Sequence, residues 1–307
     1  MARPLVGPRP STTVLVTILI GVSFSFIWSS AFSTAKIALS FAPPVSILAV
    51  RFLLSGVIAV GLAAALGSGL PKGEGVWFRL SVLGLCQNTL YLGLYFVAMT
   101  TIPAGLASII ASSLPLLMAV IAAFVLRETI GRLKILGLAL GFGGVLFIMS
   151  TRLAGGVDPW GIGLAVTGVI ALAIGTAVVK AGDFRTSVLM VVGLQMLVGG
   201  VTLLPIALIL EWPPQVIWTW ELVVTFSYIV VFPGIVATWL WFTLLARTSA
   251  TNAAVYHFLN PVFGVSVAWA LLGERIGWTE ILGVFLVAAG IIIVSRARGD
   301  GSQSGKA

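Results

Sequence analysis

Residues 114–148 read LPLLMAVIAAFVLRETIGRLKILGLALGFGGVLFI, and residues 260–294 read NPVFGVSVAWALLGERIGWTEILGVFLVAAGIIIV. An offset of 146 lays one on the other without a gap. Pro115 meets Pro261, Leu126 meets Leu272, and Glu128, Ile130 and Gly131 meet Glu274, Ile276 and Gly277. Ile135-Leu136-Gly137 meets Ile281-Leu282-Gly283, and Gly144 meets Gly290. Glutamate is rare in this chain, so a recurring Glu-x-x-Gly is not a composition effect. A fainter register at 144 puts Lys36 on Lys180 and Gly56-Val57 on Gly200-Val201. A chain that repeats itself over such a distance is two copies of one structural unit.

Composition says what solvent those units meet. Of 307 residues, 59% are hydrophobic and only 8% charged, and mean hydropathy is +1.16. A soluble domain carries roughly 25% charged residues. The expected solvent is therefore the bilayer, and a crossing helix needs roughly 20 apolar residues. Ten such runs are predicted: 14–39, 44–66, 76–99, 103–126, 132–151, 159–180, 187–210, 219–246, 250–272 and 277–296. A membrane β-barrel would instead show short alternating segments. The first run is too long for a signal-peptide core, so it is expected to be retained.

Each repeat contains five runs. An odd number forces the second copy to enter the membrane from the opposite side, which is the inverted-repeat plan of secondary transporters, with a site between the halves near the midplane. The predicted fold is an all-α membrane protein, ten transmembrane helices as two inverted five-helix repeats around a central cavity. The first repeat is 1–151, the second 152–298, and 299–307 is a disordered cytoplasmic tail. With the N-terminus inside, 13 of the 17 basic residues fall on cytoplasmic segments and four (Lys36, Arg51, Arg152, Arg275) do not. That split puts both termini in the cytoplasm. The net charge of +8 lies in the short gaps between runs and reads as topology, not as nucleic-acid binding. One cysteine, Cys86, excludes an internal disulfide and a cysteine zinc site. No ATP-binding loop is present, and no metal or cofactor is expected.

The stretches FIWSSAFSTAK, with Trp28 and Lys36, and PVSILAVRFLLSG, together with the paired Glu-x-x-Gly segments, resemble the EamA-type, ten-helix branch of the drug/metabolite transporter superfamily. The resemblance covers nearly the whole chain and is narrower to bacterial YddG-type amino acid exporters. It implies two inverted five-helix bundles, cytoplasmic termini, a bacterial inner-membrane location, and export of amino acids or related metabolites.

Polar groups in hydrocarbon are costly unless paired or lining water, so those far from predicted ends are the candidate cavity residues. They are Trp28, Asn88, Tyr91, Tyr95, Ser112, Trp241, His257 and Asn260. Asn88, Tyr91 and Tyr95 share a helix face, and Ser25, Trp28, Ser29 and Ser33 form a stripe. The 146 register carries Asn88 to Gly234, Tyr91 to Ala237, Tyr95 to Trp241 and Ala111 to His257. If both halves line one cavity, Trp241 faces it and Trp239 points elsewhere. Serines also bond back to their own helix or bridge helices, and Asn88 could serve as such a bridge. Lys36 and Arg51 are candidate partners for a substrate carboxylate on the outer side, or they snorkel to headgroups. Trp212, Trp218 and Trp220 read as an interfacial belt.

His257 is the only histidine, and it precedes Asn260-Pro261. Proline frees the carbonyl four residues back, so a kink with polar neighbours is expected here. His257 either donates to a neighbouring helix or contacts substrate. A proton relay is disfavoured because all nine carboxylates fall at or near predicted helix ends, whereas proton-driven carriers bury one along the path.

These features favour a secondary transporter exporting amino acids, aromatic and other apolar ones above all, by uncoupled alternating access. Export of other small metabolites or cationic drugs, with or without proton coupling, is the alternative. A drug exporter would want an intramembrane carboxylate, and a sugar-phosphate carrier more basic residues. A receptor or scaffold would not need the repeat. Intramembrane acid–base or metal catalysis needs clustered His, Asp, Glu or Cys, so the chain is not read as an enzyme. The expected partners are small-molecule substrate and lipid. The sequence leaves monomer and homodimer open.

Overall fold

The computed structural model describes residues 10–124, 131–153, 156–273 and 277–296. All regular structure among them is helical. In chain order the helices are α1 (Pro10–Ala38), α2 (Pro44–Ala65), α3 (Val76–Thr101), α4 (Ala104–Ile121) and α5 (Arg132–Leu153). They continue as α6 (Pro159–Ala181), α7 (Val188–Leu210), α8 (Trp220–Arg247), α9 (Ala250–Leu272) and α10 (Trp278–Arg296). Eight of them, α1–α4 and α6–α9, are long and apolar enough to cross a bilayer. α5 and α10 occupy the fifth and tenth expected runs, with 22 and 19 residues. Many large apolar side chains face outward, including Val57, Val201, Leu204, Leu208 and Ile209. A surface of that kind is stable only against lipid, and the chain is a multi-pass membrane protein. The expected tail, 299–307, lies outside the described residues, as do Glu128 and Glu274.

Helix starts follow local chemistry. Asp158 accepts from the backbone N–H groups of Trp160 and Gly161, with Pro159 in the first turn of α6. Ser187, Thr219 and Ser249 cap α7, α8 and the start of α9 through their hydroxyls. Such caps satisfy donors that the helix cannot. α2 begins at Pro44 without a cap of its own. The carboxylate of Glu211, beyond the far end of α7, accepts from the N–H groups of Val45 and Ser46 at 2.9 and 2.7 Å. α9 stops at Gly273, whose φ of +66° suits glycine.

The two most extensive helix pairings among the described residues are α2 with α7 and α5 with α10. α1 packs on α8 and α9, and α3 packs on α6. At the α2–α7 crossing the contacts are reciprocal. A Cβ on Gly56 would lie 2.8 Å from Leu197, and one on Gly200 would lie 2.7 Å from Leu53. Both glycine and leucine pairs are related by the 144 register. Small residues let membrane helices approach this closely.

α3 and α8 each widen into a π-helical stretch, Leu85–Leu92 in one and Val230–Ala237 in the other, one residue off the 146 register. Such wide turns are frequent at functional sites. The stretch in α8 contains Pro233, whose missing N–H removes the usual α-helical donor to the Ile229 carbonyl. Arg51 Nε donates to that carbonyl at 3.0 Å, and Ser55 Oγ donates to the next one, Val230, at 2.9 Å. Arg51 and Ser55 are one turn apart on α2, so one helix edge repairs the break in its neighbour.

The lysines of the fainter register also match. Lys36 Nζ donates to the carbonyls of Met99 and Ile102 at the end of α3. Lys180 Nζ donates to those of Leu245 and Thr248 at the end of α8, both at 2.9 Å. A cation at a helix C-terminus bonds orphan carbonyls and meets the negative end of the helix dipole.

Candidate functional site

The wide turns of α3 and α8 bring aromatic residues against α1 and α9. Trp28 faces Tyr91 with the rings within 3° of parallel, 6.2 Å between centroids. Tyr91 leans on Tyr95 at 4.7 Å, and Tyr95 meets Phe32 at 5.9 Å. At the other end Phe24 stacks on Trp241 at 5.0 Å. The His257 ring stands edge-on to Trp241 and Phe24, at 5.0 and 5.1 Å, and to Trp28 at 6.3 Å. The result is a continuous buried column. Four of its side chains (Trp28, Tyr91, Tyr95, Trp241) come from α1, α3 and α8, and His257 comes from α9. Trp241 is 1% exposed and Trp239 42%, so α8 turns one indole inward and the other toward lipid.

Four polar atoms in this column have no hydrogen-bond partner among the described residues: Tyr91 OH, Tyr95 OH, Trp241 Nε1 and His257 Nε2. Unpaired polar atoms in a buried setting cost about 1–3 kcal/mol each, and buried polar groups in proteins are otherwise nearly all bonded. The other side of His257 is fixed. Asn260 Nδ2 lies 3.1 Å from His257 Nδ1. An amide nitrogen can only donate, so Nδ1 accepts and Nε2 carries the proton in the neutral ring. Asn260 Oδ1 accepts from Ser29 at 3.1 Å, and its backbone carbonyl accepts from Ser108 at 2.6 Å. The kink expected at Pro261 takes the form of a 3-10 turn, Val255–Leu259, in which the Asn260 N–H takes the His257 carbonyl. Ser25 Oγ bonds the Tyr256 carbonyl at 2.8 Å. α1 thus holds this turn from one side, and the imidazole is aimed at the aromatic column.

The remaining candidate residues, Arg51 apart, lie outside this column. Asn88 Nδ2 donates to the backbone carbonyl and to Oε1 of Gln195, at 2.7 and 2.5 Å, bridging α3 to α7. Ser112 bonds back to the Ile109 carbonyl at 2.5 Å, in the turn that precedes Pro115. Lys36 is held on the end of α3 as described. Arg51 is 2% exposed, so it does not snorkel. It lines a cavity with Trp28, Phe32, Tyr91, Tyr95, Phe96 and other residues of α1, α3 and α8. That cavity measures about 20 Å³, room for about one water molecule. A substrate must therefore part the walls to enter. Trp212, Trp218 and Trp220 are exposed, at 69%, 81% and 76%.

Sequence reasoning looked for polar residues, and so missed Phe24 and Phe32. The available signal was the spacing Phe24, Trp28, Phe32, one aromatic per turn of α1. It also missed Gln195, which the 144 register places opposite Arg51. Among the described residues no group of three or more His, Cys, Asp or Glu is positioned to hold a metal.

A family model described as the EamA-like transporter family matches residues 15–150 and again 159–296. The chain belongs to this family. It is a membrane transporter. The EamA model matches twice, and each match takes in five of the helices described above. Transporter YvbV of Bacillus subtilis is 28% identical over 94% of this chain and 92% of its own length. A WAT1-related chloroplastic protein of Arabidopsis thaliana is 28% identical over 91% of this chain and 69% of its own. Inner membrane transporter YedA of Escherichia coli is 25% identical over 90% of both. One crystal structure superposes with a TM-score of 0.74 over 92% of this chain and 98% of the other, at 18% identity. At that identity the likeness concerns the fold.

Proposed function

We propose that this EamA-family transporter exports amino acids, aromatic and other apolar ones above all, from the cytoplasm by uncoupled alternating access, as YddG-type exporters do. In this reading α5 and α10 also cross the membrane. The chain is then two inverted five-helix units, 1–151 and 152–298, in a bacterial inner membrane with both termini cytoplasmic. The double family match, the reciprocal glycine–leucine contacts and the paired lysine caps support the repeat. Its substrate site is the aromatic column between the units, with Trp28, Tyr91, Tyr95, Trp241 and His257 as contacts.

The observation that carries the substrate reading is the set of unpartnered atoms Tyr91 OH, Tyr95 OH, Trp241 Nε1 and His257 Nε2. Aromatic faces suit an apolar side chain, and a few isolated polar groups suit a small polar head. The narrow cavity corresponds to an occluded state, and transport separates its walls alternately on the two sides. Uncoupled transport fits the carboxylates among the described residues. Asp158 and Glu211 cap helices, and Asp183 pairs with Arg185 in an exposed loop.

The test is uptake of labelled amino acids by liposomes containing only this protein, with no pH gradient. Saturable uptake of aromatic or aliphatic amino acids is expected, lost in Trp241→Ala and reduced at least tenfold in His257→Ala. Folded protein that carries no amino acid, with or without a pH gradient, overturns the reading.

A further inference from the structure

Arg51 has more hydrogen-bonding capacity than its surroundings use. A guanidinium carries five N–H donors and stays charged at every physiological pH. Among the described residues its one hydrogen bond runs from Nε to the Ile229 carbonyl. Its Cζ lies 5.4 Å from the Phe52 ring centroid and 5.8 Å from that of Phe96. These contacts are cation–π in kind and supply no negative charge. The side chain is 2% exposed, seven residues into a helix long enough to cross the bilayer. A charge at such a depth is costly and is normally matched by a counter-charge or a functional duty. The carboxylate of Glu211, at the start of α2, is taken by the Val45 and Ser46 N–H groups. No described carboxylate lines the cavity that Arg51 borders, and no second cation does.

The Ile229 bond explains why a donor stands here, but not why it is charged. Ser55 does the equivalent work on the next carbonyl with a neutral hydroxyl. At the position equivalent to Arg51 in the 144 register stands Gln195, also neutral. The extra feature at residue 51 is a planar fork that matches a carboxylate with two parallel hydrogen bonds. Beside it lie Tyr91, Tyr95, Trp28 and Phe96, surfaces for an apolar body.

We infer that Arg51 is the head-group contact of this cavity and that it selects a carboxylate carried on an aromatic or apolar body, with no requirement for an ammonium group. The inference rests on the reading of the aromatic column as the substrate site and sharpens it. Amino acids are then one kind of ligand within a broader class of apolar carboxylic acids, and amines are excluded by the fixed positive charge.

The test uses two probes that are not amino acids, 3-phenylpropionate and 2-phenylethylamine, titrated calorimetrically into the purified full-length protein in nanodiscs. The anion should bind at least tenfold more tightly than the amine. Arg51→Gln, which keeps a donor for the Ile229 carbonyl, should weaken the anion at least tenfold and leave the amine within about twofold. If Arg51→Gln does not fold, Arg51→Lys replaces it. Lysine keeps the charge without the fork, so the anion should weaken yet remain ahead of the amine. Equal anion affinity in wild type and a folded variant, an amine that binds as tightly as the anion, or no binding of either probe overturns the inference. L-phenylalanine uptake is measured in parallel. Uptake with a failed anion result leaves the transport reading standing and removes this one. Anion binding without uptake of any amino acid does the reverse.

Discussion

At the crossing of α3 and α7, the polar side chain, Asn88, comes from α3 and the glycine beneath it, Gly199, from α7. At the crossing of α2 and α8, the glycine, Gly234, comes from α8 and the polar Ser55 from α2. The registers of 144 and 146 relate Ser55 to Gly199 and Asn88 to Gly234. The two crossings therefore have the same close backbone approach with the polar partner exchanged. What they share is packing. What they do not share is charge: Arg51 stands in one crossing and the neutral Gln195 in the other. The single histidine likewise has Ala111 as its counterpart. The packing features are held in both halves, whereas the buried Arg51 and His257 each stand in one half only.

The paired lysines test the first part of that statement with the largest expected effect. Lys36→Met and Lys180→Met each leave two helix-end carbonyls without their cation. Hydrogen bonds to charged groups are worth about 1.5–3 kcal/mol, so each variant should lose close to about 3 kcal/mol, by a similar amount in the two halves. Thermal unfolding in detergent measures it. If Lys36→Met unfolds like wild type but no longer transports, Lys36 serves the substrate and the comparison breaks at that pair.

The glycine positions come next. A Cβ on Gly199 would collide with Cβ of Asn88, two atoms fixed to backbones that neither rotamer can move. A Cβ on Gly234 would lie 2.9 Å from Ser55 Oγ and 3.0 Å from the Ile229 carbonyl, and the hydroxyl can rotate away. Overpacking costs about 1–3 kcal/mol. Gly199→Ala should fall near about 2 kcal/mol and Gly234→Ala below it, read from the same unfolding curves. An equal or reversed order would mean that the α2–α8 crossing is the more rigid of the two.

Much of this was legible in the sequence because it is periodic. The apolar runs, the 146 register and the Pro261 break each follow from composition or spacing, and the structure puts helices and a 3-10 turn where they point. The inward turn of Trp241 follows from Tyr95 by the same register. The rest depends on contacts between distant residues. Arg51 is buried where it donates to the Ile229 carbonyl, beside Pro233, 182 positions away, and no local pattern in α2 signals that. Asn88 and Tyr91 lie on one helix face, yet the wide turn at Leu85–Leu92 sends Asn88 to α7 and Tyr91 to the aromatic column. Helical spacing assumes a regular helix, and it fails at the place where α3 stops being one. Ser112 looked equivalent to a cavity residue, but a hydroxyl beside a turn finds its own backbone first.

Helix starts give the smallest expected effects and the finest version of the comparison. α2 and α7 begin at equivalent positions, Pro44 and Val188, 144 residues apart. α7 is capped by its own Ser187, which accepts from the Met190 N–H at 3.2 Å. α2 is capped from outside by Glu211, which accepts two N–H groups and brings a negative charge to a positive helix end. Losing a local cap costs about 1 kcal/mol, so Ser187→Ala should lower stability by about that much, independent of salt. Glu211→Ala removes two bonds that also tie the end of α7 to the start of α2, and it should cost more. Glu211→Gln keeps an acceptor but not the charge, and it should fall between wild type and Glu211→Ala, with the gap to wild type shrinking as salt rises. Equal losses for Ser187→Ala and Glu211→Ala would show that the outside cap does no more than a local one, and that the two helix starts are equivalent in energy as well as in position.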